Sequence, residues 1–464
     1  MKIVHALGWY FPESLGGTEV YVAGLAQRLR DAGHKVSVAA PLRGLKGTQT
    51  CEHDSLPVFR YPVPRDPTRE ECQSRIPARG AEQFTKWLAS QRPDVLHVHT
   101  LSTGLGVFEL EAAKDLGIRV VVTNHLGSIG YTCLRGTLML WGETVCDGIC
   151  APLRCSACML QAGGMPKSVA LVMAAASTLM PGAVADLPGR AGTALGLPDA
   201  IRHNQRLQRR LLEVADRLVV LNRGAFNVLV ANGAPAHKLE VNYLGTSFRI
   251  LPKATVEEQP TSRPVRFGYF GRFAEIKGIF DLAAAIQSLP TDLEFLLECR
   301  GPCNDDASRT TLRRLRQVLA DEKRVNFCDP VSPEDAPEIL KSYDVLIVPS
   351  RWFENGPTVM YESFAVGTPV IGTRIGAMPE IIQDGVNGRL FEPGHWRQLA
   401  AILREIALDP ANTVDRWRRA LPPARTMDDI VADYERTYAA VCLIRTEMRQ
   451  KQGALGAPEG APKL

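Results

Sequence analysis

The chain has 464 residues, a formal net charge of +4 and a composition typical of a globular enzyme, with 45% hydrophobic and 22% charged residues. Because single hydrophobic cores stop growing near ~250–300 residues, this length predicts two domains. The mild charge excess does not indicate a nucleic-acid partner, the first residues resemble a buried strand more than a signal peptide, and the apolar run 169–180 is too short to span a bilayer, so we expect a cytoplasmic protein.

Short β-branched runs alternate with amphipathic stretches through the first half of the chain, beginning with predicted strands at 2–7 and 35–39. The alternation starts again at 266–270 and continues to 370–372. Strand–helix alternation is typical of a parallel sheet covered by helices on both faces. We therefore predict an α/β protein with two Rossmann-like, doubly wound domains.

Composition sets the predicted boundaries. The N-terminal domain would occupy residues 1–250, with a cysteine-rich insertion over about 131–210. A proline-containing linker at 251–264 would lead to the second domain at 265–425. A helix over 426–449 could cross back to the first domain, and the Gly-, Ala- and Pro-rich residues 450–464 are predicted to be disordered.

The first candidate ligand site is the segment GRFAEIKG at 271–278, which follows a predicted strand. Ligands of open α/β sheets bind beyond the carboxyl ends of the strands. Arg272 offers a planar fork of donors and Lys277 a point charge, so the two side chains could neutralise a diphosphate. The alternative is a pair of solvated surface cations.

A second candidate segment, PSRWFENGPTVMYE at 349–362, follows the predicted strand 345–348. Pro357 suits the start of a helix, so the free N–H groups of Thr358 and Val359 would face an anion. Glu354 precedes this helix and Glu362 lies about one and a half turns inside it. Glu362 could hold a ribose diol and Glu354 a sugar hydroxyl; an exposed helix face is the alternative for Glu362.

Two motifs are missing from the sequence. It contains no Asp-x-Asp pair, so a divalent metal bridging carboxylates and a diphosphate is not indicated. It contains no Gly-x-x-x-x-Gly-Lys-[Ser/Thr] loop, which argues against an ATPase or kinase of that type. We therefore expect no cofactor for catalysis, with the positive charge supplied by Arg272 and Lys277.

Glu354 and Glu362, with seven residues between them, resemble the Glu-x7-Glu signature of family 4 glycosyltransferases. The segments SFAVGTPV at 363–370, GAMPEII at 376–382 and DGVNG at 384–388 are similar to the same family, as is the GR-x4-KG segment. The resemblance implies a GT-B fold, a nucleotide-diphospho-sugar donor, no metal requirement and retention of anomeric configuration. The acceptor would be a glycan or lipid-linked molecule.

The resemblance also implies residue roles. Arg272 and Lys277 would bind the diphosphate, Glu362 the ribose and Glu354 the transferred sugar, while the backbone near Val331 would meet a uridine, guanosine or adenosine base. The catalytic residues would be His125, Arg272, Lys277 and Glu354. The donor site would consist of Gly16, Gly17, Arg272, Lys277, Val331, Glu354, Asn355, Gly356, Pro357, Thr358, Val359 and Glu362.

In the first half, Gly16 and Gly17 join the first strand to the first helix, either as a close-approach loop or as a plain turn. His125 follows the strand 119–123, where an imidazole could bind a sugar or handle a proton. It resembles a histidine of many family members, although Leu126 replaces the usual following Asp. A structural histidine is the alternative.

Five cysteines of the insertion predict a structural zinc site held by four of them. Cys155-x2-Cys158 has metal-ligand spacing, Cys146 and Cys150 could complete the site, and Cys133 is an alternative ligand. An iron–sulfur cluster is less favoured, and unligated thiols remain the alternative.

Residues 168–180 are apolar, and a basic stretch follows that includes Arg202, Arg206 and Arg209. This pattern indicates either a surface resting peripherally on the inner face of an anionic membrane or a buried helix followed by a solvated one. Two functions compete with transfer. A hydrolase or phosphorylase is disfavoured because Glu354 and Glu362 would lie ~12 Å apart along a helix, beyond the ~5–9.5 Å of paired carboxylates. A non-catalytic nucleotide-sugar-binding protein stays open.

Overall fold

The computed structural model describes residues 1–14, 16–179, 189–248 and 263–455, with side chains up to residue 443. The predicted linker therefore lies almost wholly outside the described residues, as do residues 456–464 of the predicted tail. Residues 450–455 are helical rather than disordered. Gln450, Lys451 and Gln452 are good helix formers, and they extend the last helix past its predicted end.

In the part of the first half that the structure describes, eight strands form a sheet in the order β10-β9-β6-β5-β1-β2-β4-β3, parallel except for the antiparallel edge strand β3. A separate two-stranded hairpin, β7–β8, lies in the insertion. The strands are β1 Lys2–Ala6, β2 Lys35–Arg43, β3 Gln49–His53, β4 Leu56–Val63, β5 Val95–Val98, β6 Arg119–Asn124, β7 Met139–Leu140, β8 Thr144–Val145, β9 Arg217–Val220 and β10 Leu239–Val241. The helices are α1 Gly17–Asp31, α2 Arg69–Cys72, α3 Glu82–Gln91, α4 Val107–Asp115, α5 Pro152–Ala162, α6 Lys167–Leu179, α7 Gly189–Leu195, α8 Leu197–Val214 and α9 Arg223–Ala231.

The second half forms a parallel sheet of six strands among the described residues, in the order β13-β12-β11-β14-β15-β16. The strands are β11 Val265–Phe270, β12 Phe295–Arg300, β13 Val325–Cys328, β14 Val345–Val348, β15 Val370–Thr373 and β16 Gly388–Phe391. The helices are α10 Ile279–Gln287, α11 Asp306–Val318, α12 Ala336–Lys341, α13 Thr358–Ala365, α14 Met378–Ile381, α15 Trp396–Leu408, α16 Pro410–Arg419 and α17 Met427–Leu455.

The strand orders place a topological switch point in each sheet. In the second sheet the chain moves outward from β11 through β12 to β13, then returns to the other side of β11 with β14. In the first sheet the corresponding reversal separates β1 from β5. Ligands of open α/β sheets bind in the crevice that such a reversal opens at the carboxyl ends of the strands. The fold therefore provides two candidate crevices.

The last helix, α17, packs on the first sheet rather than the second, against α1 and β6. Tyr434 and Tyr438 are fully buried there. The Tyr438 hydroxyl lies 2.7 Å from His97 Nδ1, and the Tyr434 hydroxyl lies 2.9 Å from Thr123 Oγ1. The N-terminal core thus includes side chains from the far end of the chain.

The helix α6 reverses the usual distribution of apolar side chains. Its small residues Ala170 and Ala174 are fully buried, whereas Val172 is 71% exposed and Leu179 is 88% exposed. The expectation of a buried helix is wrong, because α6 packs through its small residues and leaves large aliphatic side chains outside. No helix in the described ranges is long and apolar enough to cross a bilayer.

Candidate functional site

The loops that follow β11 and β14 meet at the switch point of the second sheet. Gly278 ends the first loop with φ +70°, and a Cβ at this position would lie 1.7 Å from the Pro349 carbonyl oxygen. The Arg351 N–H donates to the Ile276 carbonyl at 2.8 Å. Only glycine permits this close approach, so the two sequence motifs form one site.

An ion pair joins the two motifs. Lys277 Nζ lies 2.6 Å from Glu354 Oε1, and Ser350 Oγ donates to the same oxygen at 2.6 Å. The Lys277 ammonium also lies 5.1 Å from the centre of the Trp352 ring. Glu354 is buried and Lys277 is half-buried. The carboxylate therefore holds the lysine at the mouth of the crevice.

Arg272 lies on the same loop and is exposed. Its guanidinium makes no ion pair among the described residues, while its carbonyl accepts a hydrogen bond from the Tyr269 hydroxyl at 2.9 Å. The backbone is therefore anchored and the side chain is available to a ligand. Together with Lys277, this arrangement gives the crevice a partly neutralised cation and a free one.

The helix α13 begins at Thr358, one residue later than predicted, and Pro357 is its N-cap. Thr358 is exposed and Val359 is half-buried at this positive end of the helix. Glu362 is half-buried in the middle of the same helix, and desolvation raises the pKa of its carboxyl to about 7. A carboxylate without a partner cation at this place can accept hydrogen bonds from a diol.

The loop before α13 is docked on the N-terminal half. The Asn355 side chain donates to the His125 carbonyl at 2.8 Å, and its own carbonyl accepts a hydrogen bond from Asn222 at 3.0 Å. The Phe353 N–H donates to the Thr137 carbonyl at 3.0 Å. The structure thus brings His125, Asn355, Glu354 and Lys277 into one continuous region.

The other predicted donor residues are more scattered. Gly356 is half-buried beside Leu244, with Pro357 buried next to it. Val331 is half-buried in the loop that follows the edge strand β13. Gly16 and Gly17 open α1 on the other sheet, and a Cβ on Gly17 would meet no atom within 4 Å. No contact joins these glycines or Val331 to the ion pair within the described residues.

His125 ends a chain of three imidazoles. Its Nε2 lies 3.1 Å from His99 Nδ1, and His99 Nε2 lies 2.9 Å from His5 Nδ1. Burial lowers the pKa of His125 to about 3 and that of His99 well below its usual range, so both rings are neutral at physiological pH. His5 Nε2 has no partner. Because a buried N–H without a partner is costlier than a buried lone pair, we infer that the protons point from His5 toward His125, whose Nδ1 then carries a proton.

His97 lies beside these rings but forms separate hydrogen bonds. Its two nitrogens lie 2.7 Å from Tyr438 and 2.7 Å from Thr123. One ligand atom each from His5, His97 and His99 lies within 4.8 Å of the others, as in a metal site. Since both nitrogens of His97 already have partners, we interpret the cluster as a buried hydrogen-bond network.

A cavity of about 390 Å³ opens at the switch point of the first sheet. His99 and His125 line its floor, and Trp9 and Arg43 lie at its rim. Arg43 is exposed and Trp9 is 39% exposed. The sequence analysis missed these two residues, because no motif marks them, and it also missed Ser350 and Asn222. A polar residue directly after a predicted strand was the available signal for both of the latter.

The five cysteines of the insertion lie near one another but do not assemble into the predicted site. Cys150 and Cys155 share a hydrogen bond, whereas Cys158 accepts one from the Trp141 N–H at 3.4 Å. No three of their sulfurs lie mutually within 4.8 Å in the part of the chain that the structure describes. The zinc site, with Cys146 and Cys133 as further candidates, therefore stays a prediction.

The fold resembles that of known glycosyltransferases. The Anabaena HepE protein in complex with UDP matches with a TM-score of 0.59 and 16% identity, covering 95% of this chain and 100% of that one. The sucrose-phosphate synthase of Thermosynechococcus elongatus matches with a TM-score of 0.58 and 20% identity, covering 98% and 100%. These likenesses define the two-domain GT-B fold that the sequence motifs imply.

Residues 16–245 match the glycosyl transferase 4-like domain, and residues 254–421 match the glycosyl transferases of group 1. The chain belongs to the family 4, or group 1, glycosyltransferases.

Two relatives carry the name D-inositol 3-phosphate glycosyltransferase. That of Corynebacterium efficiens is 32% identical over 142 residues, which are 29% of this chain and only 33% of the relative. That of Pseudarthrobacter chlorophenolicus is 22% identical over 424 residues, covering 87% and 85%.

Proposed function

We propose that this protein transfers a sugar from a nucleotide-diphospho-sugar to an acceptor hydroxyl, with retention of anomeric configuration, in the synthesis of a polysaccharide, glycolipid or other glycan. The observation that carries the proposal is the ion pair of Lys277 with Glu354 at the switch point of the second sheet. The neighbouring Asn355 ties that ion pair to His125 and the acceptor side. Family membership supports the same reaction.

The chemistry requires positive charge at the departing diphosphate. As the sugar–phosphate bond breaks, negative charge grows on the phosphate oxygens, and cations already in position stabilise this state more than the substrate. We assign this role to Arg272 and Lys277, assisted by the N–H groups of Thr358 and Val359 at the start of α13. No metal cofactor is needed in this arrangement.

The carboxylates would recognise hydroxyl groups. Glu354 is held by Lys277 and Ser350 on one oxygen, which leaves its other oxygen for a hydroxyl of the transferred sugar. Glu362 would accept hydrogen bonds from the ribose diol. The proton that we infer on His125 Nδ1 would make this ring a neutral donor to the sugar.

The cavity at the first sheet would receive the acceptor. Trp9 offers an aromatic surface for the face of a ring, and Arg43 offers a cation at the rim. Relatives named for inositol 3-phosphate support a polyhydroxylated acceptor with an anionic group. Solved relatives in complex with UDP and UDP-glucose support a nucleotide-sugar donor.

The test is release of nucleoside diphosphate from UDP-, GDP- and ADP-sugars, with and without polyol phosphates, glycans and lipid-linked acceptors. We expect slow hydrolysis of one donor alone and faster release with the correct acceptor, giving a product whose anomeric configuration by NMR matches the donor. Binding without any turnover would identify a non-catalytic sugar-nucleotide-binding protein. Cleavage of glycosides without a nucleotide would identify a hydrolase or phosphorylase.

We also propose that α6 contacts an anionic membrane. Val172 and Leu179 project outward, and residues 148–198 contain only one acidic residue, Asp186. Arg206 and Arg209 are exposed on the neighbouring α8. Apolar side chains next to uncompensated cations are typical of a helix that lies at a lipid interface.

Flotation with vesicles tests this contact. We expect the protein to rise with phosphatidylglycerol vesicles, Val172→Asp to stay in the bottom fraction, and Leu408→Asp, at a position 65% exposed on another helix, to behave as wild type. Wild-type protein left wholly in the bottom fraction contradicts the proposal.

A further inference from the structure

The cysteine-rich loop lies where a brace for the donor loop would be needed. Thr137, in this loop, accepts a hydrogen bond from the N–H of Phe353 at 3.0 Å, and Phe353 precedes the ion-paired Glu354. The only strands between residues 127 and 151 in the described structure are the two-residue β7 and β8. Such a loop has little hydrophobic core with which to hold a fixed shape.

Four thiols converge on this loop from three directions. Cys133 precedes the hairpin, Cys146 follows it, and Cys150 and Cys155 flank the start of α5. Cys150 and Cys155 share a hydrogen bond, and the Cys133 thiol acts electrostatically on both Cys146 and Cys150. A cavity of about 30 Å³ is lined by Cys133, Cys146 and Cys155.

Backbone amides point at two of these sulfurs. The Gly148 N–H donates to Cys146 Sγ at 3.5 Å, and the Ala151 N–H donates to Cys155 Sγ at 3.4 Å. Both bonds stabilise a thiolate, which is the form that binds a metal. The first bond bridges residues two apart, so the turn after Cys146 presents its sulfur to the cavity.

Cys158 is in a different situation. It is buried, it accepts hydrogen bonds from the Trp141 N–H at 3.4 Å and from Arg135 at 3.8 Å, and it faces the Met139 carbonyl at 3.9 Å. Its sulfur is therefore occupied within the packing of β7 against α5. This separates Cys158 from the other four cysteines, although Cys155-x2-Cys158 is the spacing that the sequence analysis favoured.

We propose that Cys133, Cys146, Cys150 and Cys155 bind one Zn²⁺, which braces the loop carrying Thr137 against the donor loop. Tetrahedral thiolate coordination at ~2.3 Å places the sulfurs ~3.8 Å apart, so the side chains of Cys133 and Cys146 must turn inward onto the Cys150–Cys155 pair. Four deprotonated thiolates retain zinc tightly at neutral pH. The proposal does not depend on the proposed function.

Metal analysis of the full chain, purified without chelator or metal-binding tag, tests the site. We expect about one zinc per chain, and less than ~0.2 overturns the proposal, since a full four-thiolate site binds tightly. Cys146→Ser and Cys155→Ser should each lose the zinc. The matched controls Cys158→Ser and Cys303→Ser should keep it, and loss in Cys158→Ser equal to that in Cys146→Ser overturns the ligand set.

Wild-type protein supplies readouts that need no folded variant. Cobalt substitution should give the intense near-ultraviolet band of thiolate-to-cobalt charge transfer, and removal of zinc should expose four additional thiols to a thiol reagent. A spectrum without that band, no gain in reactive thiols, or a Cys150–Cys155 disulfide in the purified protein rules the site out.

Discussion

The two switch points have the same topology but opposite electrostatics. After β11 and β14, the second sheet presents an exposed arginine, a lysine paired with a buried glutamate and the positive end of a helix. After β1 and β5, the first sheet presents histidines that burial keeps neutral. In a reaction that breaks a phosphate ester, charge must be balanced at the donor only. The acceptor side needs hydrogen bonds of fixed direction, which neutral rings supply.

Removal of the paired cation should break this contrast with the largest effect. Lys277→Ala leaves Glu354 buried without its cation and the diphosphate without one of its two, so we expect kcat to fall roughly 10²- to 10³-fold while the melting temperature and circular dichroism stay near wild type. Lys341→Ala, at an exposed position on α12, is the control. Wild-type rates in Lys277→Ala would remove this residue from the mechanism.

Changes on the neutral side should have a smaller effect. His99→Leu removes the partner of His125 Nε2, and a lost hydrogen bond of ~1 kcal/mol corresponds to about a five- to tenfold decrease in kcat. His97→Leu removes an equally buried ring that bonds to Tyr438 and Thr123 instead. We expect both variants to lower the melting temperature and only the first to lower kcat. Equal kcat in the two variants contradicts the role of the imidazole chain.

The pH dependence should sharpen the comparison, because only one side titrates near neutrality. With the pKa of Glu362 raised to about 7 and that of His125 lowered to about 3, the KM for the donor should rise several-fold from pH 8 to pH 6 as Glu362 becomes protonated. Glu362→Gln should remove this dependence and keep KM high at both pH values. A flat profile in wild type contradicts the assignment of Glu362 to the ribose.

The same pKa shift has a consequence for stability. Since the pKa of Glu362 in the folded protein lies above its unfolded value, the folded state loses stability as pH rises from about 4.5 to about 7. Glu362→Gln avoids this loss, so at pH 8 we expect it to be more stable than wild type by at least ~1 kcal/mol. Denaturant unfolding at pH 8 and at pH 4 measures the difference, which should vanish at the lower pH.

The smallest expected effect is none at all. If side chains supply the positive charge, transfer should continue in excess EDTA, measured within minutes so that a tightly bound structural zinc stays in place. Complete loss of transfer that magnesium or manganese restores would refute the metal-free reading. Restoration by zinc alone would instead point to the cysteine loop.

The donor segments could be predicted because their function is encoded locally. The order of strand, turn, cation and helix along 266–278 fixes where Arg272 and Lys277 lie, and the same holds for Glu354 before α13. The pairing of Lys277 with Glu354, 77 residues apart, could not be predicted from either segment alone. Nor could the docking of Asn355 on the His125 carbonyl, which joins residues 230 positions apart.

Some elements were missed for physical reasons that the structure makes plain. The strand β4 contains Pro57 and Pro62, which disfavour a central strand, yet it lies between β2 and the edge strand β3. The orientation of α6 opposes the rule that large aliphatic residues lie inside. A sequence shows the composition of such a helix, but only the packing of its neighbours decides which face is covered.

The return of α17 to the first sheet affects how the protein is made. Domains generally fold in the order in which they leave the ribosome. Here the hydrogen bonds that hold His97 and Thr123 come from Tyr438 and Tyr434, so the first domain to emerge is the last to be completed. Synthesis stopped after residue 425 would yield a finished donor-binding half beside an N-terminal sheet with a solvent-exposed seam, a target for chaperones and proteases.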